Sequence, residues 1–518
     1  MPADPPTAAP EFDLAVIGGG IVGCGIARDA ALRGLKVALL EKRDFGSGTT
    51  SGSTRLAHGG LRYLETFDFK LVRLDLRERE ILLKIAPHLV KPLPFLLPLP
   101  RSWWGRFRLK VGMRLYDWLS YDKSLPNHRI VGLDELRQLE PALDTTPYSG
   151  AALFYDAQVH SPERLALENV IDASEHGASV WNYTEVTEAL HEAGRVAGVK
   201  ATHTLTGETR EVRARLVVNA TGPWFDAVAA KIERPHAPRV RMTKGIHIAC
   251  EPFTRHALIL ESGVDGRVVF AIPWSGYTWI GTTDTDFQGD PADAVATPED
   301  VKYMVDSIAS HLPAVRDAKK YWTMAGVRAL VREEGSESEV SRMHQIATDT
   351  PGLISVIGGK LTGYRAIAEE VVDAVCRQLG RDARCSTATT PLPGGGPERS
   401  GDEHLDAIYG SRAPRVRALI DSSADLKQRL AANAATVAGQ VLYAVRHEFC
   451  VRLEDFQQRR SYLSFLPDQG VDALSAALRL MQRELAWQDS RPPTETDAVR
   501  ARVARRQTGL RSTGTRQA

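Results

Sequence analysis

The sequence predicts an α/β protein: a Rossmann-like dinucleotide-binding domain, an antiparallel-sheet domain inserted into it, and a helical domain at the C-terminus. Three observations carry this expectation. A glycine-rich turn, Gly18-Gly19-Gly20-Ile21-Val22-Gly23, stands between the apolar run 13–17 (DLAVI) and a helical repeat of Ala27, Ala30, Ala31 and Leu32. Strand-rich stretches such as 268–283 occur later in the chain. Beyond the linker Pro391-Leu-Pro-Gly-Gly-Gly-Pro397, alanine and leucine recur at helical spacing over 403–487. A chain of 518 residues is too long for one core, so two or three domains are expected.

Each part of the first motif has a physical task. Gly18 permits the tight turn, Gly20 lets the backbone approach a pyrophosphate, and Gly23 lets helix and strand pack closely. The helix N-terminus turns unpaired N–H groups and a positive dipole end toward phosphate. Gly34 closes the helix, and the strand 36–41 ends in Glu41, placed to accept ribose hydroxyls. This motif alone does not separate FAD from NAD. The loop 46–60 (GSGTTSGSTRLAHGG) offers hydroxyls and backbone N–H groups as a second phosphate cradle. The strand 215–222 ends in Ala220-Thr221-Gly222, small enough for close cofactor approach, and 184–186 belongs to another such strand. Contacts spread over two hundred residues suit an extended flavin dinucleotide better than a single NAD site. No Cys or His is expected to be poised at the first cradle for flavin attachment, so the FAD should be noncovalent.

A net charge of +1 argues against a nucleic-acid binder. Five cysteines without CxxC pairing form neither a disulfide framework nor a zinc site and suit a reducing compartment. No histidine spacing of the H-E-x-x-H kind occurs, and no metal is expected. Residues 1–10 carry no signal-peptide pattern, and no apolar run of spanning length is present. The expectation is a cytoplasmic catalytic body.

The run Thr54-Arg-Leu-Ala-His58-Gly-Gly-Leu-Arg62-Tyr63-Leu64 resembles the HGGLRYL signature of flavin-linked glycerol-3-phosphate dehydrogenases. Thr243-Lys244-Gly245-Ile-His247, Ile280-Gly-Thr-Thr-Asp284-Thr-Asp286, Ala325-Gly326-Val327-Arg328 and Gly358-Gly359-Lys360-Leu-Thr362-Gly-Tyr364-Arg365 match the same family in order. Tyr443-Ala-Val-Arg446-His-Glu448 resembles its helical tail domain, so the resemblance runs over about 12–495. The family usually carries Lys at Arg55 and a second Thr at Gly363; Arg55 keeps the charge as a planar fork, whereas Gly363 lacks a hydroxyl that would reach the flavin.

The resemblance implies FAD-dependent oxidation of sn-glycerol 3-phosphate to dihydroxyacetone phosphate, with hydride passing from C2 to flavin N5 and electrons to a quinone. An oxidase releasing peroxide and a catalytically silent FAD-binding regulatory protein are the alternatives. Arginine matches phosphate oxygens bidentately, which makes Arg62, Arg328 and Arg342 the candidates for the substrate phosphate, with Tyr63 beside them. Arg328 follows Ala325-Gly326-Val327, read as a small-residue turn. For the base, His58 is favoured over His247, since it precedes Gly59-Gly60 where the flavin ring is expected. Lys244 or Lys360 would stabilise the reduced flavin. The expected FAD contacts are Gly18, Gly20, Gly23, Glu41, Thr49, Thr50, Ser53, Thr54, His58, Val186, Ala220, Gly222, Lys360, Leu361 and Thr362.

The FAD-binding domain is expected to be discontinuous, over 11–90, 155–235 and 345–385. A substrate-binding, membrane-facing domain takes 91–154 and 236–344, and the helical domain 398–499. Within 92–120, Phe95-Leu96-Leu97 lies among prolines. From Arg101 to Arg114 there are then five cations and no acid around Trp103 and Trp104. This pattern suits a lipid headgroup region, so the expected location is the inner face of the cytoplasmic membrane, peripherally attached. An ordinary packed helix with a cationic face is the other reading. The tail 500–518 has six arginines and no acid and is expected to be disordered. A homodimer is left open.

Overall fold

A computed structural model describes residues 11–64, 67–233, 237–332 and 343–511. The chain divides into two compact units: 1–51, 162–243 and 328–393 form one, and 52–161, 244–327 and 394–518 the other. Residues 52–90, expected with the nucleotide-binding segments, therefore group with the second unit, and the helical C-terminal region groups there too.

In the first unit, β1 (Phe12–Ile17) and β2 (Val37–Leu40) pair in parallel, with Leu14 opposite Val37. The sheet order is Gln345–Ala347, Leu353–Ile357, Thr209–Asn219, β1, β2, Ser179–Trp181, parallel apart from the first pair. All residues of β1 and β2 are buried, the continuous apolar pattern that a sheet covered on both faces demands. The helix α1 (Ile21–Leu32) is buried almost all round, against the helices Pro162–Glu175 and Tyr364–Leu379. Its charged groups are consequently paired. Arg28 bonds Asp172 at 2.5 Å and the Thr390 carbonyl at 2.9 Å, and Arg33 bonds Asp29 and Asp373.

The second unit is built on a large, mostly antiparallel sheet. In it, Val268–Trp274 and Tyr277–Gly281 form a hairpin across Ser275 and Gly276, both with positive φ. Two helices pack beside this sheet. The helix α2 (Phe69–Ile85) is capped by Asp68, and α3 (Trp103–Leu119) by Ser102. The proline-rich segment read as membrane-facing is instead a strand, Val90–Pro100, paired along its length with Tyr148–Val159. Phe95 and Leu96 are buried core residues of that strand, so the outward-facing aromatic groups of this stretch belong to α3. The small-residue run 325–327 is not a turn but the middle of the strand Lys320–Val331. A Cβ at Gly52 would lie 2.6 Å from the Gly326 Cα, so glycine at both positions allows two backbones to touch.

The helical region 394–511 has its own core around Leu430, Val441, Leu453, Phe456, Met481 and Val499. The tail expected to be disordered is helical as far as it is described: Arg491–Arg506 is a helix and Thr508–Leu510 a further turn. Val499 and Val503 pack into the core, Arg502 pairs with Glu454, and Thr323 donates to the Arg506 carbonyl. These partners come from elsewhere in the fold, which composition does not reveal. Residues 512–518 of that expectation lie outside the described residues.

Candidate active site

The cradle of the first unit is built by steric necessity. Gly18 has φ +104°, a conformation closed to L side chains, and a Cβ there would lie 2.7 Å from the Ala220 carbonyl oxygen. A Cβ on Gly23 would lie 1.9 Å from the Gly18 carbonyl oxygen, so helix and strand meet only because no side chain intervenes. At Gly20 the nearest atom to such a Cβ is the Thr50 hydroxyl at 3.8 Å, leaving the helix entrance open. No acid occupies the first turn of α1, and Thr50 accepts from the Ile21 amide at 3.0 Å. Glu41 follows β2 and accepts from the amides of Gly19 (2.7 Å) and Arg43 (2.8 Å). Burial raises its pKa above the ordinary carboxylate value, and those amides oppose the shift. Ala220 and Gly222 lie at the C-terminal end of Thr209–Asn219, beside Gly18; Val186 is buried on its strand. Gly358 and Gly359 both have positive φ and lead into half-buried Lys360 and Leu361 and buried Thr362. Thr49 is half-buried. Cys24 donates to the Gly19 carbonyl, and burial holds its pKa well above the ordinary thiol value, so it offers no nucleophile.

Ser53, Thr54 and His58 belong to the second unit. The Ser53 hydroxyl is buried without a hydrogen-bond partner among the described residues. His58 follows the short strand Leu56–Ala57, and its Nδ1 accepts from the Gly60 amide at 3.1 Å. That bond occupies the Nδ1 lone pair, so the neutral ring carries its proton on Nε2 and presents a donor. Gly60 has φ +69°, and a Cβ there would lie 2.3 Å from the Tyr63 ring. His58, Gly59, Gly60 and Tyr63 are thus brought together on one tight turn. Arg62 lies on the same turn, Leu61–Leu64.

His247 is buried on the strand Val240–Cys250. Its ring stacks on Trp279 with centroids 5.0 Å apart and planes nearly parallel, and its Nε2 lies 3.0 Å from the Thr54 hydroxyl. Gly281 makes room for it, since a Cβ there would lie 2.1 Å from His247 Cδ2. Lys244, a candidate for stabilising reduced flavin, is committed elsewhere. Its ammonium pairs with Asp300 at 2.6 Å, and Asp300 is also part of the capping box of Pro298–Ile308. Arg328 is half-buried on its strand, and Arg342 lies outside the described residues.

Beneath the His58 turn lies a group that sequence reasoning misses. The Gly59 amide donates to the Tyr116 hydroxyl at 3.1 Å. Tyr116 donates to the Asp156 carboxylate, with contacts of 2.9 and 2.8 Å, and Arg79 pairs with Asp156 at 2.6 Å. All three side chains are buried. Burial, and then the Asp156 charge, push the phenol pKa well above its ordinary value and keep it a donor. The available signal was Asp156 itself, an acid in the otherwise apolar stretch Ala151-Ala-Leu-Phe-Tyr-Asp-Ala157.

The chain matches the family of FAD dependent oxidoreductases over residues 13–372, and the C-terminal domain of alpha-glycerophosphate oxidase over residues 360–492. A glycerol-3-phosphate dehydrogenase of Synechocystis sp. is 38% identical, covering 92% of this chain and 93% of that one. An aerobic glycerol-3-phosphate dehydrogenase of Bacillus subtilis is 34% identical, with 94% and 93% covered. A solved glycerol-3-phosphate dehydrogenase from Bacillus halodurans, complexed with FAD, is similar at a TM-score of 0.80 and 29% identity, over 97% and 96% of the two chains.

Proposed function

The chain belongs to the family of FAD-dependent glycerol-3-phosphate dehydrogenases, and we propose that it oxidises sn-glycerol 3-phosphate to dihydroxyacetone phosphate and delivers the electrons to a quinone. Its cofactor is FAD. The observation that carries the cofactor part of this reading is the side-chain-free cradle of Gly18, Gly20 and Gly23, open at the helix entrance and flanked by Glu41 and Thr50; the substrate part rests on the similarity to glycerol-3-phosphate dehydrogenases over most of the chain. In the second unit, the buried Ser53 hydroxyl, without a hydrogen-bond partner among the described residues, is a group that fits a phosphate or ribose acceptor. Bound FAD supplies the two-electron acceptor for the hydride leaving C2.

The chain's own residues do the rest. Arg328 grips the substrate phosphate, and Arg62, Arg342 and Tyr63 are the further candidates for that role. His58 presents its Nε2 proton to a substrate oxygen. His247 takes the C2 hydroxyl proton through the Thr54 hydroxyl, which passes its own proton to the His247 Nε2 and is reprotonated by the substrate. Lys360 takes the cationic role near the reduced cofactor, since Lys244 is already neutralised by Asp300.

Quinone as acceptor is supported by the outer face of α3. Trp103, Trp104, Phe107 and Trp118 stand exposed there among Arg106, Arg108, Lys110 and Arg114, also exposed. An aromatic and cationic face fits anionic lipid headgroups, where quinone is reached. No helix among the described residues is long and apolar enough to cross a membrane, so attachment would be peripheral, at the inner face of the cytoplasmic membrane.

Anaerobic turnover of glycerol 3-phosphate with a soluble quinone analogue is expected to exceed by at least about tenfold the turnover with oxygen alone. Peroxide formation at the quinone rate would make the protein an oxidase. The double substitution Trp103→Ser and Trp104→Ser is expected to weaken binding to phosphatidylserine vesicles while leaving dye-coupled activity in solution intact. Each cation near such a surface contributes about 1 kcal/mol, so binding should also fall as salt rises. Cosedimentation that neither salt nor the substitutions change would mark α3 as an ordinary surface helix.

A further inference from the structure

We infer that Tyr116 is a positioning residue for the turn that carries His58. Three elements converge on the Gly59 amide: α2 through Arg79, α3 through Tyr116, and the strand Tyr148–Val159 through Asp156. Gly59 also has no room for a side chain, since a Cβ there would lie 2.3 Å from the Leu76 Cδ2 and 2.5 Å from the Tyr116 hydroxyl. The Gly59 amide has one close acceptor, the phenol oxygen at 3.1 Å, and a longer one, Asp156 Oδ1, at 3.4 Å.

The consequence reaches the imidazole one residue away. The Gly60 amide holds the His58 Nδ1, and that bond decides which ring nitrogen carries the proton. It exists only while the peptide planes on either side of Gly59 keep their orientation, and the Tyr116 hydroxyl fixes the first of them. Asp156, anchored by Arg79 at 2.6 Å, in turn fixes the hydroxyl. Removing this one oxygen leaves the Gly59 amide only its longer contact with Asp156, without opening a cavity, because the ring stays packed edge-on against Phe154. Tyr116 acts through His58 rather than on substrate or cofactor, so the inference rests on His58 belonging to the reaction site.

The test uses Tyr116→Phe holoenzyme, with activity counted per bound flavin, beside His58→Asn and Leu119→Ala. Leu119 is a buried residue of the same helix and serves as the structural control. In Tyr116→Phe, amide hydrogen exchange is expected to quicken at Gly59 and Gly60 while α2 and α3 stay protected. Its kcat is expected to fall about tenfold, with KM for glycerol 3-phosphate within about twofold, the size of effect one lost hydrogen bond produces. Leu119→Ala should lower the melting temperature more and kcat per flavin hardly at all. If His58→Asn loses kcat while Tyr116→Phe matches wild type, the positioning role is wrong and the site reading stands. If His58→Asn is itself wild-type in kcat, the site reading fails and takes the inference with it. A Tyr116→Phe protein whose exchange quickens throughout α2 and α3 would show ordinary destabilisation and overturn it too.

Discussion

Arg328→Ala should lower kcat/KM for glycerol 3-phosphate by roughly 30- to 5000-fold, corresponding to a loss of about 2–5 kcal/mol when one partner of a desolvated charge pair is removed. Arg328 is half-buried on the strand Lys320–Val331, two residues beyond the point where Gly326 meets the Gly52 backbone. A phosphate held there would be left without its bidentate partner. Arg328→Lys should recover only part of the loss, since an ammonium keeps the charge and not the fork. Flavin content should stay normal. Glycerol, which lacks the phosphate, should be turned over equally poorly by wild type and variant. An Arg328→Ala enzyme of wild-type efficiency and full flavin loading would move the phosphate grip to other residues.

The second large effect is expected at Gly23. Alanine there brings a methyl group to 1.9 Å from the Gly18 carbonyl oxygen, a backbone atom that no rotamer change can move away. Overpacking of this kind costs about 1–3 kcal/mol even where side chains can adjust, and here α1 must slide off β1. The displaced helix entrance takes its N–H groups away from the pyrophosphate position. Gly23→Ala is therefore expected to retain less than about a tenth of the wild-type flavin, read as flavin absorbance per chain, with far-UV circular dichroism little changed. Full flavin occupancy would mean that the cofactor's phosphates do not sit at this turn.

The two substitutions sample features of different legibility. Gly18, Gly20, Gly23 and Glu41 are readable because the cradle is local: strand, turn, helix and acid succeed one another within thirty residues, and each glycine answers a backbone requirement. The His58-Gly59-Gly60 turn is readable for the same reason. The role of Lys244 is not, because its partner Asp300 is brought to it only by a helix packed on the sheet. His247 shares that limit, since its stacking on Trp279 and its contact with Thr54 join three separate stretches of chain.

Fold class and the glycine turn of the dinucleotide cradle were legible in the chain alone, because they rest on short-range spacing and backbone conformation. Folding in three dimensions settled where long-range partners neutralise, orient or order a group. The proline-rich run 92–100 became a strand because Tyr148–Val159 supplies its partner edge. The arginine-rich tail is helical as far as Arg506 because Glu454, the Arg506 carbonyl contact and the apolar core around Val499 receive it. His58 became a donor because a network through Tyr116, Asp156 and Arg79 underpins its turn. Charge and hydrogen bonding act over a few ångströms in space, and a sequence states distance only along the chain.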